Sequence, residues 1–126
     1  NGFIKREEII EQSSAVLIDR GDLSRYISIS QIPIAQKIIA TSSNIKKKPF
    51  YVATNLLETM ITKKEPTRAE SNDIFASLQL NCSGLVLAAE TAIGKYPIEA
   101  IKFVKESISN FVRFEKIGEK KFKLKF

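Results

Sequence analysis

Three short runs of apolar residues stand out along the chain: Ala15–Ile18, Phe50–Ala53 and Gly84–Ala88. Each run is too short for a helix and is rich in β-branched or large apolar side chains. Such runs predict strands buried on both faces, as in a parallel sheet. They begin about 35 residues apart, a spacing typical of repeated β/α units.

Helical periodicity occupies the segments before and between the first two runs. Ile4, Ile9 and Ile10 alternate with charged residues and predict a short amphipathic helix ahead of the first run. In the next segment we predict Ser30 as the N-cap of a second helix and Pro33 as a residue of its first turn. The apolar face of this helix is predicted to be Ile32, Ala35, Ile38 and Ile39.

Two further helices are predicted after the second and third runs. Thr67 and Glu70 have the spacing of a capping box at the start of one of them. Pro97 has the first helical position of the other. The predicted core-facing residues are Ile74, Phe75 and Leu78 in the first helix and Ile98, Ile101, Val104, Ile108 and Phe111 or Val112 in the second. The pattern α-β-α-β-α-β-α predicts an α/β fold with right-handed crossovers, built as one folding unit.

Polar residues follow each predicted strand: Asp19–Asp22 after the first, Thr54 and Asn55 after the second, and Ala89–Thr91 after the third. Parallel strands end at the same edge of a sheet, and in β/α barrels that edge carries the active site. The sequence therefore predicts a rim where carboxylate, hydroxyl and guanidinium groups from separate strands meet.

The composition narrows the chemistry of this rim. The chain has no histidine, which excludes His-based triads and His metal sites. Catalysis would have to use carboxylates, lysine, arginine, hydroxyls or a metal held by oxygen ligands. A single cysteine, Cys82, excludes an internal disulfide and suits a reducing compartment. Because Cys82 precedes an apolar run, we predict a buried, unreactive thiol.

The net charge of +6 comes partly from a basic segment, residues 116–126, which we separate from the β/α portion, residues 1–115. We interpret it as a solvated terminus, because no nucleic-acid motif accompanies it. No apolar run approaches the ~20 residues that span a bilayer, and no secretory leader is recognisable. We therefore expect no nucleic-acid or membrane partner and a cytoplasmic location, with an organelle as the alternative.

A series of motifs runs through the chain: Asp19–Leu23, Gln36-Lys37, Ala53–Met60, Pro66–Glu70 with Asp73, and Glu90–Pro97. In order and spacing these segments resemble the pyruvate kinase family. The resemblance covers roughly residues 2–105 and implies a partial TIM (β/α)8 barrel with three parallel strands and flanking helices. A complete barrel takes about 250 residues.

The resemblance also implies roles for single residues. Asp22 matches the aspartate that binds the divalent metal, and a lone carboxylate with substrate oxygens suits Mg²⁺. The substrate-binding candidates are Arg20, Gly21, Asp22 and Thr54, and the weaker candidates are Asp19, Arg68 and Glu90. Arg68 has a surface or interface ion pair as its alternative role.

This chain departs from the family pattern at three places. Asp19 replaces an alanine, Asn55 replaces a glutamine, and Ala88-Ala89 replaces Ser-Gly. The serine hydroxyl missing at Ala88 is placed in the family's proton path to the enolate. The family's catalytic lysine and second metal-binding glutamate would fall before Asn1, so the resemblance predicts no catalytic residue within this chain.

We therefore expect part of a pyruvate kinase. In the full-length enzyme the phosphoryl group of phosphoenolpyruvate would pass to ADP, giving pyruvate and ATP. The resemblance implies Mg²⁺, and K⁺ in the full-length enzyme, together with a homo-oligomer. The alternative hypothesis is a non-catalytic half-barrel with a structural or regulatory role.

Overall fold

The computed structural model describes residues 6–124. Its strands are β1 (Val16–Asp19), β2 (Phe50–Ala53) and β3 (Gly84–Val86). Its helices are α1 (Arg6–Gln12), α2 (Arg20–Leu23), α3 (Ile32–Ile45), α4 (Arg68–Gln79), α5 (Ala89–Ala92) and α6 (Pro97–Ile117), with 3-10 turns at Ile29–Gln31 and Glu58–Ile61. The predicted order of strands and long helices is confirmed. The single-turn helices α2 and α5 are additions, and β3 is shorter than the predicted run.

The three strands form one parallel sheet in the order β1-β2-β3. In its register, Asp19 pairs with Ala53, and Ala53 pairs with Val86. The carboxyl ends of all three strands therefore lie at one edge, as predicted. This alignment brings the residues that follow each strand to a common rim.

One face of the sheet carries the core. Ile18, Phe50 and Val52 point into it and are almost completely buried. The core also contains Leu56, Leu57, Met60, Ile74, Leu78, Ala100 and Val104, which come from the chain after β2 and from helices α4 and α6. Burial of these apolar side chains is the main stabilising term of the fold.

The opposite face of the sheet is open, so the prediction of strands buried on both faces is wrong. Leu17 is 57% exposed and Tyr51 is 37% exposed, and Val86 is exposed as well. Three strands do not curl far enough to enclose a barrel interior, and within residues 6–124 no element covers this face. The Tyr51 ring lies over Gly84, where an added Cβ would be 3.0 Å from Tyr51 Cδ1.

The second long helix starts differently from the prediction. Ser30 lies inside the 3-10 turn that leads into α3, so it cannot be the N-cap, and Gln31 has that position. Ser28 has extended backbone instead, and its N–H donates to the side chain of Gln31 at 3.3 Å. Pro33 does lie in the first turn of α3, where its missing N–H leaves no acceptor unpaired.

The predicted capping box of α4 is confirmed. Thr67 Oγ1 accepts the N–H of Glu70 at 3.1 Å, and Glu70 Oε1 accepts the N–H of Thr67 at 2.9 Å. The other carboxylate oxygen of Glu70 accepts the N–H of Thr59 at 2.8 Å. The box therefore also ties the start of α4 to the 3-10 turn that follows β2.

The prediction of which α6 residues face the core is partly wrong. Ile98, Ile101 and Val112 are exposed, whereas Val104 is buried. Ala100, which the prediction omitted, is also buried, and Ile108 and Phe111 are partly buried against the core. The helix is rotated so that its small residue, Ala100, meets the core and the isoleucines on either side point away.

Ile10 of α1 is buried and Ile9 is exposed, while Ile4 lies outside the described residues. Helix α6 continues to Ile117, past the predicted boundary at residues 115 and 116, and the Phe122 ring packs 5.9 Å from that of Phe114. Within residues 6–124, no helix is both long and apolar enough to cross a bilayer.

Candidate active site

The turn after β1 is organised by Asp19. Its backbone is extended, and its side chain Oδ1 accepts the N–H of Asp22 at 3.1 Å. Asp19 is therefore the N-cap of α2, a role that aspartate favours because its carboxylate satisfies an amide left free by the first helical turn. The cap holds Asp22 within the single turn at the end of the strand.

Arg20 forms a clamp across the rim. Its Nε and Nη2 donate to the carbonyl oxygen of Thr54 at 3.1 Å and 2.7 Å. Its Nη1 lies 2.6 Å and 2.7 Å from the two carboxylate oxygens of Asp73 on α4. All three guanidinium nitrogens are thus bound to protein, so Arg20 acts here as a connector between β1, β2 and α4.

Thr54 has an unusual backbone conformation. Its φ is 73° and that of Asn55 is 56°, both in the left-handed region. A β-branched residue is rarely found there, since its side chain crowds the backbone. The conformation aims the hydroxyl at the β1 turn, where Thr54 Oγ1 accepts the N–H of Gly21 at 2.7 Å.

The hydroxyl of Thr54 also lies 3.2 Å from Asp19 Oδ1 and 2.7 Å from the carbonyl oxygen of Ala53. The structure therefore brings together the predicted site residues Asp19, Gly21, Asp22 and Thr54 on one rim. Two adjacent strands supply them.

Asp22 is the most accessible carboxylate of this group. Its side chain is 62% exposed, and its Oδ1 forms only a long ion pair, 3.9 Å from Nη1 of Arg25. Among the described residues no group of three or more cysteine or acidic side chains is arranged to hold a metal. The exposed Asp22 carboxylate has the oxygen chemistry that suits a hard cation, which would need further ligands from substrate, water or other residues.

Glu90 lies away from solvent rather than on the rim. It is 2% exposed, and its two carboxylate oxygens accept the N–H groups of Leu57 at 2.8 Å and of Ala88 at 3.0 Å. A buried carboxylate that accepts backbone amides joins the segments after β2 and β3. Its contacts are structural, and they give the sequence match at Glu90 a physical reason.

Arg68 is the first residue of α4 and its side chain is exposed. Ala88 precedes α5 and presents only a methyl group. Cys82 is half-buried, and burial raises the pKa of its thiol, as expected for an unreactive cysteine. None of these three residues is among the rim contacts just described.

The sequence interpretation missed the structural role of Asp73. From the sequence, Asp73 is identified only as a match at the end of a motif, although both of its carboxylate oxygens accept from Nη1 of Arg20. The presence of an acidic residue at this position of α4 can be read from the sequence. Its partner, however, is 53 residues away in the chain, so local spacing does not reveal the pair.

A cavity of about 620 Å³ lies elsewhere, between α4, α6 and the segment after α6. Its walls include Phe75, Phe111, Phe114 and Phe122. No rim residue lines it. The rim itself is an open edge because a three-stranded sheet encloses no volume.

Comparison with a family model, with curated relatives and with a solved structure points in each case to pyruvate kinase. A family model described as the barrel domain of pyruvate kinase matches residues 1–101. A pyruvate kinase from Thermotoga maritima is 48% identical over 96 residues, which are 76% of this chain and 21% of that protein. A human pyruvate kinase is 40% identical over 101 residues, or 80% of this chain and 18% of that protein.

The crystal structure of pyruvate kinase from Pyrobaculum aerophilum superimposes with a TM-score of 0.84 at 37% identity. The match covers 86% of this chain and 26% of that one. The chain thus spans about a fifth of the length of the curated relatives it matches.

Proposed function

The chain belongs to the pyruvate kinase family, and on that premise we propose that it forms part of the catalytic barrel of a longer protein. In that protein the phosphoryl group of phosphoenolpyruvate would be transferred to ADP, giving pyruvate and ATP. The observation that supports the proposal is that Gly21, Thr54 and Asp22 lie on one rim, where the Gly21 N–H binds the Thr54 hydroxyl and Asp19 Oδ1 binds both that hydroxyl and the Asp22 N–H.

These groups have the chemistry that an anionic substrate needs. The Gly21 N–H and the Thr54 hydroxyl are both hydrogen-bond donors, and they lie within 2.7 Å of each other. We propose that the Gly21 N–H and the Thr54 hydroxyl, which bind each other in the structure, turn toward the carboxylate of phosphoenolpyruvate. Charge-assisted hydrogen bonds of this kind are stronger than neutral ones.

We assign Mg²⁺ to Asp22 because its carboxylate is exposed and oxygen ligands suit a hard cation. When bound, the cation would supply positive charge next to the transferring phosphoryl group. Asp22 would hold it, and the N-cap contact from Asp19 would orient Asp22. The use of K⁺, the homo-oligomer and the cytoplasmic location stay predictions.

Arg20 has a supporting role in this proposal. Its three nitrogens are occupied by Thr54 and Asp73, so it would position the Thr54 backbone rather than contact the substrate. Glu90 would act in a similar way from the interior, through the amides of Leu57 and Ala88.

The test is Asp22→Ala in the full-length protein, assayed with phosphoenolpyruvate, ADP and a series of Mg²⁺ concentrations. We expect the Mg²⁺-dependent rate to fall by about 100-fold or more, the size of effect found when one electrostatic partner of the reacting group is removed. Glu115→Ala, which removes an exposed carboxylate from α6, is the matched control. Full activity of Asp22→Ala would refute the proposal.

A non-catalytic, pyruvate kinase-like module is the second candidate. It is favoured by Asp19, which adds negative charge beside an anion site, and by Ala88, which has no hydroxyl. The same assay separates the two candidates. A folded full-length protein without turnover, whether or not Asp22 is intact, would support the module.

A further inference from the structure

One oxygen atom connects three residues of the rim. Asp19 Oδ1 accepts the N–H of Asp22 at 3.1 Å and faces the hydroxyl of Thr54 at 3.2 Å. That hydroxyl in turn accepts the N–H of Gly21 at 2.7 Å. The carboxylate of Asp19 therefore contacts the Thr54 hydroxyl, which is assigned above to the anion, and the backbone N–H of Asp22, whose side chain is assigned to the cation.

The hydrogen bonds of Thr54 make Asp19 a competitor for any anion bound there. The hydroxyl has one proton, and in the structure its two acceptors are Asp19 Oδ1 and the carbonyl oxygen of Ala53. An anion that takes this proton must displace one of them. A substrate carboxylate therefore competes with the Asp19 carboxylate for the proton of the Thr54 hydroxyl.

The charge of Asp19 is also not balanced within the rim. The arginines nearby have other partners, since Arg20 pairs with Asp73 and Arg25 with Asp22. No ion pair to Asp19 is found within residues 6–124. The rim thus has a negative charge that repels an anion and attracts a cation.

We propose that Asp19 is a specificity-determining residue that weakens the binding of phosphoenolpyruvate and strengthens the binding of Mg²⁺. Substrate binding then depends more steeply on the divalent cation than it would with an uncharged residue at this position. This inference rests on the proposed function, because it assumes that Thr54 receives the anion and Asp22 the cation.

The test compares Asp19→Asn with the unchanged full-length protein. Asparagine keeps the Oδ1 acceptor and is an equally good N-cap, so the substitution removes the charge and leaves the hydrogen bonds in place. We expect the KM for phosphoenolpyruvate to fall roughly threefold and the Mg²⁺ concentration at half-maximal rate to rise roughly threefold. A role limited to stability would not move the two constants in opposite directions.

Two additional variants make the outcome specific. Asp19→Ala removes the charge together with both hydrogen bonds, so it should shift the constants in the same directions and also lower the thermal midpoint. Glu115→Gln removes a charge far along α6 and should leave both constants unchanged. Equilibrium titrations with Mn²⁺ and with phosphoenolpyruvate, without ADP, give the two dissociation constants independently of turnover, and these should shift in the same opposite directions in Asp19→Asn.

Any other pattern in Asp19→Asn, including two constants that stay unchanged or move together, would overturn the role of Asp19. The proposed function is judged separately by Asp22→Ala. If Asp22→Ala loses its rate while Asp19→Asn behaves like the unchanged protein, the function stands and the inference on Asp19 fails. If Asp22→Ala keeps its rate, the proposed function itself fails.

Discussion

Asp73 binds Arg20 through both carboxylate oxygens, at 2.6 Å and 2.7 Å from Nη1. The same guanidinium holds the carbonyl oxygen of Thr54 through its other two nitrogens. Helix α4 is thereby connected to the rim through one side chain, which is only 11% exposed. The fork geometry of arginine makes this triple contact feasible, and lysine has no equivalent.

Arg20→Lys should loosen the segment that carries Thr54. Lysine keeps the charge but has one nitrogen in place of three, so it cannot reproduce all the contacts with Asp73 and Thr54, and we expect a loss of about 1–3 kcal/mol in local stability. In hydrogen–deuterium exchange of the full-length protein, peptides covering residues 54–57 should exchange about tenfold faster or more. The control is Arg113→Lys on α6, since the Arg113 guanidinium lies over the Phe122 ring and has no contact with the rim within residues 6–124. Unchanged exchange in Arg20→Lys would show that the clamp does not hold this segment.

Asn55 offers a test of backbone strain at the rim. Its φ of 56° costs glycine and asparagine less than it costs a β-branched residue. Because the side chain is exposed, Asn55→Gly should change the thermal midpoint little, whereas Asn55→Val should destabilise the protein by about 1–2 kcal/mol. Equal midpoints for the two variants would contradict the left-handed conformation at this position.

Glu70 should make stability depend on pH. Partial burial acts to raise the pKa of Glu70, but the N–H groups of Thr67 and Thr59 outweigh it and hold the pKa below the ordinary 4.5. Because the folded-state pKa is the lower one, this stabilisation is complete above pH 4.5 and is lost as the pH falls through the folded-state value.

Glu70→Gln retains an acceptor in the capping box but has no charge to lose. The thermal midpoint of the unchanged protein should therefore lie above that of Glu70→Gln near neutral pH, and the gap should narrow as the solution is acidified below pH 4.5. Midpoints measured from about pH 3 to 7 provide the check. Two parallel curves would contradict the assignment.

The open sheet face should make the 126-residue chain self-associate when it is produced alone. Leu17 and Tyr51 are exposed on that face, and β1 and β3 both present unpaired strand edges. Size-exclusion chromatography should show oligomers, and Leu17→Lys combined with Tyr51→Lys should shift the chain toward the monomer.

The control is Ile98→Lys, which places a charge at an equally exposed apolar residue on α6 and should leave association unchanged. A dilute monomer that unfolds cooperatively in urea, with a midpoint independent of concentration, would refute the expectation.

Local patterns predicted the elements of the fold well where neighbours in the chain interact. The capping box of Thr67 and Glu70 joins residues three apart, and both of its hydrogen bonds form. Prediction failed where two local patterns compete, as at Ser30, where a 3-10 turn that starts after Ser28 precedes the helix. It failed again at Ile98 and Ile101, because the rotation of α6 depends on what the helix packs against.

The order of elements along the chain, the shared rim and the family resemblance could all be inferred from the amino-acid sequence, because they depend on contiguous runs and motifs and on the common edge at which parallel strands end. The contacts among Asp19, Thr54, Arg20 and Asp73 depend on tertiary structure. Asp19 pairs with Ala53 in the register of β1 and β2, and this places Thr54 beside the β1 turn. A shift of one residue would turn these side chains to opposite faces of the sheet, and the packing of the whole domain, rather than any local pattern, selects the register.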